Sequence, residues 1–375
     1  MNKVVIYYGP KRGFDELLDK DPLDSEMIKN LSALVREHDE SSREYRLITP
    51  TDEGESRAPL SVESLVVYSD EYASVREHVI LNFEGFLSNF VVNQLYLHNP
   101  PEILSEKIKK LYPSVVIKHF KYPRIDKDKI VEIYEEYGNN IIGQEKVRKQ
   151  LLIAIYPLVR RNYKKPIVIM FYGPSGVGKT ESAKYLSKVL GGDLLRKQLS
   201  MFQNNDFLTY LFGGHLYEKS FAKELLDRET NVILLDEFDK AHSVVHSAFY
   251  QFFDEGVFED KNYSVTVGPS VIICTSNYNS LEEIRENLGD PIFSRFDACI
   301  KFADLSESDI SRIVRLRIEQ EYEELEDDEK DKIDRNRVYS QFIGHLANMG
   351  NARRIESLVR EVISDELLTS LLNKE

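Results

Sequence analysis

Cysteine is scarce in this 375-residue chain: only Cys274 and Cys299 occur, with neither CxxC nor metal-ligand spacing. That argues against a disulfide scaffold or a thiolate metal site and for a reducing compartment, and both residues sit in apolar, strand-like runs where they read as small core residues. Long hydrophobic runs are missing as well. The apolar stretch within Met1–Tyr8 is too short for a signal sequence, and no later run approaches the roughly 20 residues of a membrane span, so a cytoplasmic location with no membrane partner is expected. Positive charge is outweighed, 49 Lys+Arg against 63 Asp+Glu for a net charge of -14. A broad nucleic-acid surface is therefore disfavoured. With 42% hydrophobic and 30% charged residues the chain is nevertheless a folded one, long enough for two or three domains.

The most informative stretch is Gly173-Pro174-Ser175-Gly176-Val177-Gly178-Lys179-Thr180, a match to G-x-x-x-x-G-K-[ST]. It directly follows the apolar run Ile167–Met170 and precedes a helical pattern, Glu181–Leu190. A buried strand feeding a glycine-rich loop and then a helix is the setting in which backbone N–H groups turn inward around a β-phosphate. The helix N-terminus adds positive potential, and Lys179 and Thr180 can reach a γ-phosphate and Mg2+.

A second marker follows at Val232–His242, where a short apolar strand ends in the adjacent carboxylates Asp236 and Glu237. At a strand's carboxyl end beside a phosphate loop, Asp236 can hold Mg2+ through water and Glu237 can polarise an attacking water. Paired acids are a weak signal by themselves; following the phosphate loop at domain-compatible spacing, they become a strong one.

These segments, with Glu181 after the loop and Ile273–Asn277, resemble the AAA+ ATPases, specifically the second ATPase module of the Clp disaggregase group. The likeness runs from Ile141-Ile142-Gly143-Gln144 through Phe252–Asp260 and Asp290–Asp297 to Gly350–Arg354. The resemblance implies a P-loop α/β fold with a parallel sheet and a C-terminal helical lid, with ATP and Mg2+ as cofactors. It implies that Ile141 and Ile142 form the adenine-side box, that Asn277 is the polar sensor beside Glu237, and that Arg353, next to Arg354, is the lid arginine contacting the phosphates. Arg295 matches the arginine finger that a neighbouring subunit inserts, so a ring, usually a hexamer, is expected. The pore-loop position, Leu211–Glu218, lacks the aromatic-hydrophobic-Gly order of that group. Phe212 and Tyr217 there either present rings to an axial channel or pack under a short helix.

Ahead of this region, Val4–Tyr8, Tyr45–Ile48, Leu65–Tyr68, Gln94–Leu97 and Val115–Phe120 read as strands. Ser25–Glu37, Phe83–Val92 and Pro101–Leu111 have helical spacing, the last with Pro101 at the first helical position. The expectation is a separate N-terminal α/β domain, residues 1–125, that recognises a protein client or partner. An ATPase domain over 126–304 and a lid over 305–375 complete the division, with Pro123 and Asp126–Lys129 as a linker. Thr51–Ser56 reads as an acidic surface turn, Glu321–Lys332 as a solvated acidic face, and Tyr8–Gly13 as a turn after the first strand. His242 and His246, four apart, have metal-compatible spacing but no third ligand in view. The resulting expectation is a ring ATPase coupling hydrolysis to protein remodelling; the alternatives are a nucleotide-gated assembly switch without threading and, less favoured by the charge, a nucleic-acid loader.

Overall fold

The computed structural model describes residues 1–21, 23, 27–44, 60–201 and 206–372. The run Tyr45–Ile48 and the acidic loop Thr51–Ser56 lie outside the described residues. The chain divides into two compact units: residues 1–123, 202–231 and 255–268 form one, and residues 124–201, 232–254 and 269–375 the other.

In the first unit, β1 (Lys3–Tyr8), β2 (Ile28–Lys29), β3 (Leu60–Val67), β4 (Phe90–His98) and β5 (Val116–His119) make a parallel sheet of order β2-β3-β4-β1-β5. Helices cover both faces, as a parallel sheet requires. Alternation along β1 shows the division: Val4 and Ile6 enter one core with Leu34, Phe83 and Leu104, whereas Val5 and Tyr7 enter the other with Phe14, Val66 and Tyr96. The segment Ser25–Glu37 is not a single helix. Its described part holds β2, and the helix runs later, Leu31–Glu44. Phe83–Val92 likewise splits, because the helix stops at Leu87 and β4 starts at Phe90, where Leu95 and Leu97 must reach the core beside β1. Pro101 caps the helix Glu102–Leu111 from outside, one position earlier than expected.

The chain leaves β1 toward β2 and leaves β4 in the opposite direction toward β5, so the adjacent carboxyl ends of β1 and β4 are the sheet's switch point. Two unusual backbones meet there, Gly9 at φ 147° and Asn99 at φ 45°. The Gly9 N–H donates to Asn99 Oδ1 at 3.0 Å and Asn99 Nδ2 donates back to the Gly9 carbonyl at 2.9 Å. Asn99 Nδ2 also reaches Asp227 Oδ1 at 2.7 Å, and His98 Nε2 lies 2.8 Å from the same Gly9 carbonyl.

The second unit holds β6 (Ile167–Tyr172), β7 (Leu195–Gln198) and β8 (Val232–Asp236). The hairpin strands β9 (Val257–Glu259) and β10 (Ser264–Thr266) belong to the first unit, and β11 (Val271–Thr275) and β12 (Ala298–Lys301) again to the second. Its sheet is parallel throughout, in the order β12-β6-β11-β8-β7, with β6, β8 and β11 fully buried in its middle. The charge-rich stretch at 126–129 is a helix start, not a linker: Asp126 accepts from the Lys129 N–H at 2.9 Å and caps the helix Lys127–Asn140. After β12 the chain forms helices with a core of their own, Ile310, Val314, Val338, Ile355 and Val359 among them. Cys274 is buried on β11 and Cys299 half-buried on β12. Among the described residues no helix is long and apolar enough to cross a membrane.

Candidate functional site: a phosphate loop between two carboxylate-bearing strands

The strand β6, buried along all six residues, ends at Tyr172, and the glycines then make the loop. Gly173, Gly176 and Gly178 have φ of 127°, 72° and 106°, backbone that side-chain-bearing residues rarely adopt. At Gly173 a Cβ would also collide with the backbone carbonyl of Phe302. The helix Lys179–Val189 starts at the loop's end, so its free N–H groups face the loop's interior.

Lys179 is 8% exposed, and its Nζ donates to the carbonyls of Gly173 (2.6 Å) and Pro174 (2.7 Å) and to Asn277 Oδ1 (3.1 Å). Burial pulls its pKa down to about 8, with Asp239 and Asp236 opposing that shift and Arg353 adding to it. Asn277 therefore stands at the end of β11 against the loop lysine. Thr275, the last residue of β11, reaches across to the neighbouring β8: its Oγ1 donates to Asp236 Oδ1 at 2.5 Å and accepts the Glu237 N–H at 2.8 Å. Glu237 itself sits at φ 55°, a left-handed turn that swings its side chain off the strand line.

A cavity of about 540 Å³ gathers Ile141, Ile142, Ser175–Glu181, Asp236, Glu237, Asn277 and Arg353. Gly173 and Pro174 contribute through the carbonyls that Lys179 holds. Ile141 packs under Gly178, and the buried Gln144 ties Ala303 to this side by paired bonds of 2.9 and 3.2 Å. The lid helix enters where the Ala352 N–H donates to the Gly176 carbonyl at 3.1 Å, which sets Arg353 at the cavity wall. Arg354 is not among the lining residues.

Arg295 lies outside this cavity. It pairs with Asp254 at 2.9 Å, donates to the Pro291 carbonyl at 2.6 Å and stacks 4.5 Å over the Tyr250 ring. His246 is buried on Phe238 and bonded to its carbonyl at 3.1 Å, and His242 is exposed at the helix start. Phe212 and Tyr217 are 46% and 62% exposed, Tyr217 stacking on His215, whereas the intervening Leu216 is buried in the first unit's core.

Two polar residues of this site escape a reading of the sequence. Arg196 bonds Asp236 Oδ2 through Nη2 at 2.6 Å and Nε at 2.9 Å, and Gln198 Nε2 donates to Glu237 Oε2 at 3.1 Å. Both stand on β7, two apart and hence on one face, and β7 pairs with β8 so that Gln198 lies opposite Asp236. The signal available was the alternation Arg-x-Gln in a short strand, but nothing in the sequence places that strand beside β8.

Among the described residues no group of three or more His, Cys, Asp or Glu could hold a metal. The donor set nevertheless fits Mg2+, which takes few protein oxygens and leaves the rest to phosphate and water. Thr180 Oγ1 and Asp236 Oδ2, 3.4 Å apart, would supply such an oxygen pair.

A parallel sheet in this strand order, with a phosphate loop after β6 and adjacent acids after β8, defines an AAA+ module of the P-loop NTPases. Residues 164–348 match the AAA domain (Cdc48 subfamily) family model. The module is Clp-like, similar in sequence to ClpB chaperone proteins. Similar relatives include the chloroplastic chaperone protein ClpB3 of Arabidopsis thaliana, 28% identical over 67% of this chain and 30% of its own length. Another is the chaperone protein ClpB of Aquifex aeolicus, 30% identical over 51% of this chain and 23% of its own. The chain thus spans about a third or less of the relatives it matches. A closed-state cryo-EM reconstruction of Hsp104 with ATPγS and FITC-casein shares the fold at TM-score 0.55 and 14% identity, covering 100% of this chain and 89% of that one.

Proposed function

We propose that the chain binds and hydrolyses ATP with Mg2+ in a ring, the lone subunit being a poor hydrolase, and couples hydrolysis to remodelling of a protein client in the cytoplasm. The carrying observation is the convergence of Lys179, Thr180, Asp236, Glu237, Asn277 and Arg353 on one cavity while Arg295 stands apart from it. The glycine loop and Lys179 bind and orient the phosphates, with Ser175, Val177 and Glu181 along the same wall and Ile141 and Ile142 beside the base. Thr180 and Asp236 hold Mg2+, which supplies charge neutralisation at the phosphates. Glu237, with Asn277, orients the attacking water and takes its proton.

Arg295 is then the charge a neighbouring subunit receives, which makes the assembled ring, a hexamer by likeness to its relatives, the active form. The division we assign is residues 1–125 for client recognition, 126–304 for the ATPase and 305–375 for the lid, with the stretches 202–231 and 255–268 folding with the first unit and not with the ATPase unit. A nucleotide-gated assembly switch is the second reading, favoured by the altered stretch Leu211–Glu218. The experiment is ATP turnover and particle size for the full chain and for Glu237→Gln, with and without an unfolded protein. Remodelling requires that the unfolded protein stimulate turnover and be retained by Glu237→Gln in ATP. Turnover indifferent to it, with assembly tracking nucleotide, selects the switch. Absence of adenine-nucleotide binding overturns both.

A further inference from the structure

The two sheets of this chain follow one plan. Counted in chain order within each unit, both have five parallel strands in the order 5-1-4-3-2: β5-β1-β4-β3-β2 in the first and β12-β6-β11-β8-β7 in the second. The likeness extends to the strand ends. β1 runs out into Tyr8-Gly9-Pro10 and β6 into Tyr172-Gly173-Pro174, with the glycines at φ 147° and 127°. The residue after the fifth strand is a phenylalanine in each. The Phe120 N–H donates to the Tyr8 carbonyl and the Phe302 N–H to the Tyr172 carbonyl, both at 2.8 Å. Each phenylalanine occupies the space that a Cβ on its glycine would need. The fourth strands leave alike as well, the Asn99 N–H donating to the Tyr7 carbonyl at 2.8 Å and the Ser276 N–H to the Phe171 carbonyl at 2.9 Å. Parallel sheets with helical crossovers allow several strand orders, and none of those orders dictates these bonds. Agreement in order, turn and bonding therefore marks two versions of one module.

What differs is the part that would hold a nucleotide. Two residues, Gly9 and Pro10, join β1 to the helix Lys11–Asp19, against six, Gly173–Gly178, between β6 and its helix. A phosphate cradle needs several consecutive N–H groups curled around the anion, and the shorter turn has no length for them. Lys11 heads its helix as Lys179 does, but it is exposed and lies 5.0 Å over the Tyr68 ring. The strand pairings place Tyr68 and Ser69 where Asp236 and Glu237 stand. The Tyr68 hydroxyl donates to Asp15 Oδ1 at 2.8 Å, so a phenol–carboxylate bond links third strand to first helix in place of the Thr180–Asp236 oxygen pair.

Protein groups take the remaining space. Tyr7 and Phe120 lie against Gly13 in the first turn of the helix, where a Cβ would collide with both rings. The Asn99 side chain bonds the N–H and the carbonyl of Gly9 at 3.0 and 2.9 Å. In the second unit the matching carbonyl, that of Gly173, is held by Lys179, which Asn277 holds in turn. One asparagine thus ties the first strand's exit directly, without a phosphate-binding lysine between.

We propose that the first unit is a second P-loop-type module whose nucleotide site is closed by its own side chains, Asn99 acting as the clamp. The chain is then a two-module ATPase with a single working site, and the first module's fold needs no nucleotide. This rests on the ATPase reading of the second unit.

The test is calorimetric titration of the full chain with ADP and Mg2+, together with melting and amide hydrogen exchange of Asn99→Gly. Glycine keeps the left-handed backbone at this position and removes only the clamp's side chain. Wild type and variant each bind one ADP per chain with the same affinity. Asn99→Gly melts lower by roughly 3 °C or more, by the same amount with and without ADP, and its Asn99 and Phe120 amides exchange about tenfold faster. A second ADP per chain, or an Asn99→Gly variant that melts and exchanges as the wild type does, overturns the proposal while leaving the ATPase reading intact. No ADP binding at all overturns both. Should Asn99→Gly not fold, the wild-type stoichiometry decides alone.

Discussion

Gln198 holds the carboxylate of Glu237 from the neighbouring strand, Nε2 to Oε2 at 3.1 Å. Among the described residues Glu237 is otherwise anchored only through its backbone, by Thr275 and by its left-handed turn, so Gln198 is the side-chain contact that fixes where the proposed base points. Replacing Gln198 by Leu should lower kcat for ATP by roughly tenfold, the worth of one well-placed hydrogen bond, with little change in nucleotide affinity. Steady-state turnover alongside direct ADP binding checks this; an equal loss in both would make Gln198 a structural support only.

Arg196 plays a different part, because its two bonds neutralise an Asp236 carboxylate that is only 7% exposed. Arg196→Met should destabilise the nucleotide-free chain by roughly 1–3 kcal/mol, discounted for an arginine that is itself partly solvated. Mg2+ and ATP should restore most of that loss, since the cation takes over the charge. Melting curves with and without Mg-ATP read both effects, and a loss that nucleotide does not repair would contradict the argument.

Arg295→Ala should leave ATP binding close to normal and cut turnover by about 10³ or more, the usual contribution of an arginine supplied in trans. Mixing it with Glu237→Gln subunits should restore part of the activity, each variant supplying what the other lacks at a shared interface. Unchanged turnover in Arg295→Ala would reduce the residue to its bonds with Asp254 and Pro291.

Acid should act on the first unit through two groups of opposite sign. Burial lowers the His98 pKa from 6.5 to about 4, so His98 stays neutral when folded and its contribution to stability is lost as pH falls from 6.5 toward 4. For this 1% exposed ring the shift corresponds to about 3 kcal/mol. Asp227 opposes it: burial raises its pKa from 3.8 to about 6, so its folded form gains protons, and stability, as pH falls through 6. Relative to wild type, His98→Phe should therefore become more acid-resistant between pH 6.5 and 4 and Asp227→Asn less so. Denaturant titrations at several pH values give the sign of each difference.

The parts of this molecule that were legible in the sequence are those set by local rules. A fully buried strand, a glycine-bearing loop and a following helix occupy consecutive residues, so Ile167–Leu190 could be read directly, as could the acids after Val232–Leu235. Arg196 and Gln198 were not legible, because their meaning comes from strand order: β7 lies beside β8 although more than thirty residues separate them. The helical reading of Phe83–Val92 failed for a similar reason. Phe83, Phe86 and Phe90 have helical spacing, yet pairing with β1 and β3 draws the chain from Phe90 onward into the sheet.

Leu216, Asp227 and Tyr263 all belong to the compact unit that opens with β1, although each is far along the chain. During synthesis, the first 123 residues must therefore wait on the ribosome with part of their hydrophobic interior and the cover over β1 and β4 still missing. A truncated recombinant fragment ending near residue 125 would reproduce that unfinished state permanently. Expressing the amino-terminal portion by itself is thus a route to aggregation, and attempts to find its ligands belong with the whole polypeptide.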